Sequence, residues 1–99
     1  MSGRELIVGP EARSELRRAR DWYQVRSRAI AQRFRRVVLE TFEEIAESPE
    51  AWPTVHGGIR RALTRGFPYA VFYAVEPKSV VILSVLHQAR SPRRWPNGA

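Results

Sequence analysis

The sequence predicts an α+β domain of order β-αα-β-β-β, a four-stranded antiparallel sheet with an αα-hairpin packed on one face. Three observations carry this prediction. Two runs of aromatic and β-branched residues, Tyr69 to Val75 and Val80 to His87, flank a turn at Glu76 to Ser79, the pattern of a β-hairpin. Between Pro10 and Glu47 apolar residues recur at spacings of three and four, the period of amphipathic helices, with one break near Ser27. Helical and strand patterns are segregated along the chain.

In order, Arg4 to Val8 reads as a first strand, ended by Gly9 and Pro10. Pro10 suits the first helical position, where its missing N–H is not needed, Gly9 serves as N-cap, and Glu11 favours the positive end of the helix dipole. The first helix runs to about Val25 on a stripe of Ala12, Leu16, Ala19 and Tyr23, which Trp22 widens. Arg13, Arg17, Arg18 and Arg20 face outward. Ser27 caps a second helix that continues to about Glu47 and stops before Pro49. Its stripe is Ile30, Phe34, Val37, Val38, Phe42 and Ile45. Its arginines precede its glutamates, an order that opposes the helix dipole, so packing must dominate.

Ser48 to Gly58 is a loop marked by two prolines and a glycine pair, with Trp52 docking it onto the core. Ile59 to Thr64 is an arginine-bearing strand, joined through Gly66, Phe67 and Pro68 to the hairpin. There Tyr69, Val71, Tyr73 and Val75 share one face and Ala70, Phe72 and Ala74 the other, because side chains alternate with a period of two. In the last strand Val80, Ile82 and Leu86 take one side and Val81, Leu83 and Val85 the other. Both faces are apolar, so both strands lie inside a sheet covered on both sides. The helix pair covers one face, and the other cover comes from elsewhere. The first strand pairs beside the last, giving the spatial order 1-4-3-2.

Ninety-nine residues, 43% of them hydrophobic, make one domain, with a folded core over 4–88 and a basic tail over 89–99. There is no cysteine, which excludes disulfides and thiolate chemistry and suits a reducing cytoplasm. No apolar run approaches the roughly 18 residues that cross a bilayer, and the N-terminus lacks a signal-peptide apolar region. The expected location is therefore the cytoplasm. Seventeen basic residues face ten acidic ones, and all the basic ones but Lys78 are arginine. A G+C-rich genome would also favour arginine. The uneven placement, with Arg60, Arg61 and Arg65 before the hairpin and Arg90, Arg93 and Arg94 in the tail, points instead to an acidic or polyanionic partner.

The order of elements, Asp21-Trp22-Tyr23 in the first helix, Ser48-Pro49 at the loop entry, the arginines before Phe67-Pro68-Tyr69, Tyr73, and the ending from His87 to Trp95 together resemble the ParE/RelE family of bacterial toxins. The resemblance covers nearly the whole chain. It implies a small toxin of a type II toxin–antitoxin module, neutralised by a ParD-like or similar small acidic antitoxin that wraps over it in a hetero-oligomer and supplies the missing sheet cover. It also implies one of two targets. RelE-like members cut mRNA on the ribosome, whereas ParE-like members inhibit DNA gyrase. Cleavage through the 2′-OH needs a proton acceptor, a cation at the phosphate and an acid for the leaving oxygen. The segment after the last strand has no tyrosine, and arginine stays protonated and makes a poor base. The endings SPRRW and FPY look more like the ParE branch.

If the chain is a nuclease, His87, Arg90 and Arg61 are the catalytic candidates: His87 as general acid or base and Arg90 as phosphate clamp. Otherwise the His87 ring caps the strand end by hydrogen bonding. Tyr69 and Tyr73 either present hydroxyls on the open face or are buried with those hydroxyls satisfied. Trp22 and Tyr23 read as core or helix-hairpin packing, and His56 as a solvated loop histidine. Adjacent Arg60 and Arg61 point to opposite faces, which an edge strand accommodates. The candidate surface for antitoxin or target is thus Arg60, Arg61, Arg65, Tyr73, His87, Arg90, Arg93, Arg94 and Trp95, the last as an anchor. A third reading, a basic DNA-binding module, lacks base-reading spacing. No metal or cofactor motif is present, the glycine pair Gly57-Gly58 being too short for a phosphate loop.

Overall fold

A computed structural model describes residues 4–89. Its elements are β1 (Glu5–Val8), α1 (Pro10–Arg26), α2 (Arg28–Glu47), β2 (Thr54–His56), β3 (Ile59–Leu63), β4 (Tyr69–Val75) and β5 (Ser79–His87). The α+β class and the helix hairpin are as the sequence predicts. The sheet differs: it has five strands in the order β1-β5-β4-β3-β2, and β1 runs parallel to β5.

The physical reason is parity. Two antiparallel helices return the chain to the end of the sheet where β1 finished, so the next strand must run opposite to β1. That strand is the short β2, read from the sequence as part of a loop. The chain turns back at once through Gly57, whose φ of 55° suits glycine, into the antiparallel β3. One extra reversal leaves β3 and β5 pointing with β1. The sheet is therefore mixed where an antiparallel one was expected, although β1 does lie beside the last strand.

Local signals hold the helices in place. Pro10 starts α1 behind Gly9, and the Ser27 hydroxyl accepts from the Ile30 N–H at 3.3 Å to start α2. Gly9 is needed for proximity: its N–H donates to the Ile82 carbonyl at 2.9 Å, and a Cβ there would stand 3.0 Å from that same oxygen.

Both helices pack on one face, where Ala12, Ala19, Phe34, Val38, Phe42 and Ile45 meet Val71, Tyr73, Val80, Ile82 and Val85. Ile30 falls outside this stripe and is exposed. Trp52 packs against the same cluster and docks its loop, as expected. A second cluster on the other face contains Ile59, Ala70 and Phe72 with Leu83 and Leu86, and neither helix contributes to it. The alternation expected for the last strand fails after Ile82. A bulge inserts Leu83 so that Phe72 pairs Ser84 and Tyr73 pairs Ile82, which turns Val85 to the helices and Leu86 to the far side.

Candidate functional site

Beyond Val8 the β1 edge of β5 loses its strand partner, and α1 takes over. Glu15, one turn and a half into α1, accepts from the Ser84 hydroxyl at 2.7 Å and from the Val85 N–H at 2.8 Å. The carboxylate thus stands in for the missing strand. Arg18, Ala19 and Trp22 follow Glu15 at spacings of three, four and seven, so they share its side of the helix. Opposite them Tyr69 opens β4 and pairs with His87 at the end of β5, their rings 5.4 Å apart. Between these walls lies a groove of ≈ 560 Å³, lined also by Tyr23 and Pro68.

Its floor is aromatic. Tyr23 meets Phe34 at 5.1 Å, Phe67 at 5.3 Å and Tyr69 at 6.4 Å between centroids. Burial pushes the Tyr23 hydroxyl above its ordinary pKa, against a hydrogen bond with Tyr69 that lowers it. Trp22 forms the rim. It is 52% exposed, not core, and the Arg26 guanidinium lies 3.6 Å from its ring centroid while donating to its carbonyl at 2.8 Å. Neighbouring helix residues point about 100° apart, so only one of Trp22 and Tyr23 faces the core.

His87 behaves as a strand-end cap. Its Nδ1 accepts from the Ala89 N–H at 3.1 Å, which puts the proton of a neutral ring on Nε2, toward the groove. Glu15, the carboxylate lining the groove, is already committed to backbone and hydroxyl, so it does not act with His87 as an acid–base pair.

The other candidates are dispersed. Tyr73 is fully buried, and its hydroxyl donates to the Pro49 carbonyl at 2.6 Å, which removes it from any partner surface. Arg60 also turns inward, to the helix face, where its guanidinium donates to the carbonyls of Glu50 and Trp52 and clamps the loop before β2. It too serves the fold. Arg61 pairs with Phe72 on the opposite face and is exposed. The strand carrying both is interior, since β2 takes the edge. Arg65 reaches Glu44 at 3.2 Å with both groups wet, a contact of small energetic value. His56 ends the short edge strand β2, exposed. Arg90, Arg93, Arg94 and Trp95 lie outside the described residues. Among the described residues no group of three or more His, Cys, Asp and Glu could hold a metal ion, and no helix is long and apolar enough to cross a membrane.

Two of the nuclease candidates are thus placed, and they stand on opposite faces: His87 beside Tyr69 over the helices, Arg61 beside Phe72 on the far side. They cannot converge on one phosphate. Glu15, Arg18 and Trp22 were not singled out as site residues by the sequence. Their three-four-seven spacing was visible, but nothing marked the point where β1 would stop pairing.

The architecture is a helix hairpin on one face of a five-stranded mixed sheet. It superposes with a TM-score of 0.77 on a chain of the chromosomal ParDE toxin–antitoxin system from P. aeruginosa, 18% identical, covering 88% of this chain and 98% of that one. The model of the ParE toxin of the type II toxin–antitoxin system parDE matches residues 6–92, and the chain belongs to that family. Among curated proteins no relative was found.

Proposed function

We propose that this chain is the toxin of a type II module in the cytoplasm, neutralised by a small acidic antitoxin, and that it inhibits DNA gyrase without cutting mRNA. The observation that carries the choice of target is that Glu15, the carboxylate in the His87 groove, is already committed to Ser84 and Val85, while Arg61 stands on the other face of the sheet. A ribonuclease must bring a proton acceptor, a cation and an acid for the leaving oxygen to the same phosphodiester. Among the described residues the histidine shares its groove with the cation Arg18, but the one carboxylate there already accepts from the Ser84 hydroxyl and the Val85 N–H.

The antitoxin covers the sheet face that the helices leave alone. Arg61 stands there beside Leu63, 38% exposed, and the half-buried Leu83 and Leu86. That combination suits a segment with an apolar side chain and a carboxylate. Arg90, Arg93, Arg94 and Trp95 complete the proposed target surface.

Expression from an inducible promoter, alone and with the adjacent open reading frame, tests this reading. Growth should stop in the first case and resume in the second. His87→Ala should remain toxic, and primer extension should find intact mRNA. Codon-position cleavage abolished by His87→Ala would overturn the choice of target, and a chain without effect on growth would overturn the toxin reading itself.

A further inference from the structure

A second groove lies on the helical hairpin and shares no lining residue with the one at His87. It is ≈ 290 Å³, and its rim carries Arg13, Arg17 and Arg20 from α1 and Arg35 from α2. The first three follow at spacings of four and three, one stripe of the helix, and span about 10 Å at 1.5 Å per residue. Its apolar lining includes Leu16, Phe34, Val38, Phe42 and Leu39, the last 44% exposed. No carboxylate lines it.

Two features set this groove apart from an ordinary solvated helix face. Among the described residues Arg17 and Arg35 have no carboxylate partner, although α2 carries Glu40, Glu43, Glu44 and Glu47 further along; Arg20 pairs only with its neighbour Asp21, and Arg13 with the Val8 carbonyl. Crowding unneutralised guanidinium groups costs free energy that an incoming anion recovers. Second, the arginine stems do not cover all the apolar lining, as such stems commonly do, since Leu39 remains exposed. A phosphate backbone gains nothing from an exposed leucine. A protein segment with both carboxylates and an apolar anchor uses both parts of the site.

We propose that the α1–α2 groove docks an acidic amphipathic helix of a partner protein. The incoming helix lies along the hairpin, its carboxylates at spacings of four and three facing Arg13, Arg17, Arg20 and Arg35, and an apolar side chain packs on Leu39. This groove shares no residue with the sheet cluster proposed above for the antitoxin.

The test is fluorescence anisotropy on the full-length chain with three labelled probes: a synthetic helical peptide with Glu at i, i+4 and i+7 around a central Leu, a scrambled peptide of the same composition, and a single-stranded oligonucleotide. The patterned peptide should bind about tenfold tighter than the scrambled one. Arg17→Glu, Arg35→Glu and Leu39→Ala should each weaken it about tenfold, with the melting transition retained, whereas Arg36→Glu, outside the groove, should not. Lys in place of the matching Glu of the peptide should restore binding to Arg17→Glu. Equal binding of patterned and scrambled peptides would overturn the proposal. So would an oligonucleotide that binds more tightly and responds to the same substitutions, which would make the groove a polyanion surface.

Discussion

Tyr73 carries its hydroxyl into the core because the loop that follows α2 lends it an acceptor, the Pro49 carbonyl. Tyr73→Phe removes the donor and leaves that buried carbonyl unpaired, which should cost about 1–2 kcal/mol, read as a lower urea midpoint. The same burial pushes the Tyr73 pKa from 10.0 to about 12, with the Arg60 charge acting in the lowering direction. A proton held more tightly in the folded state stabilises fully below the unfolded pKa, and that stabilisation is lost as pH rises through the folded one. Wild-type protein should therefore lose stability between pH 10.0 and about 12, and Tyr73→Phe should flatten that part of the profile. Glu15 makes a different prediction. Glu15→Ala strips acceptors from Ser84 and Val85 and should cost roughly 2–3 kcal/mol, with faster hydrogen exchange at the Val85 amide, while the strand pairs further down β5 stay protected.

At the scale of elements, Phe42 sits toward the C-terminal end of the α2 stripe, 7% exposed, and Phe42→Ala should lower stability by about 3–5 kcal/mol in urea denaturation. That stripe was legible because a long amphipathic helix repeats its signal over several turns, and Ser27 and Pro10 mark its breaks with side-chain and backbone chemistry. β2 was not legible. Its three residues are exposed and show no alternation, so only the Gly57 turn hints at it. Missing that one strand inverted the expected direction of every later strand relative to β1. The bulge at Leu83 was equally silent, since valine and leucine fill both faces of β5 and a shift by one leaves the pattern unchanged. Of the candidate site, sequence identified His87 and Arg61 as residues of interest but did not place them relative to each other, because His87 lies beyond the β5 bulge and its face cannot be counted from alternation alone. Arg60, which is half-buried, looked like surface because the carbonyls that satisfy it belong to a loop eight and ten residues away.

For the whole molecule, the arginines behind a net charge of +7 stand in different environments. Arg60 is consumed by the fold and Arg65 by a wet ion pair, whereas Arg61 is exposed on the far sheet face and Arg13, Arg17, Arg20 and Arg35 line the α1–α2 groove. The described residues hold a sheet face covered by the helices, a second apolar cluster without helix contacts, and a histidine whose groove also holds Arg18 and an engaged glutamate. The central claim is inhibition of gyrase by binding, and supercoiling of relaxed plasmid by purified gyrase and ATP, titrated with this chain, tests it most directly. Supercoiling should fall with increasing chain, for wild type and for His87→Ala alike. Supercoiling that proceeds unchanged at every concentration of folded chain would contradict the account.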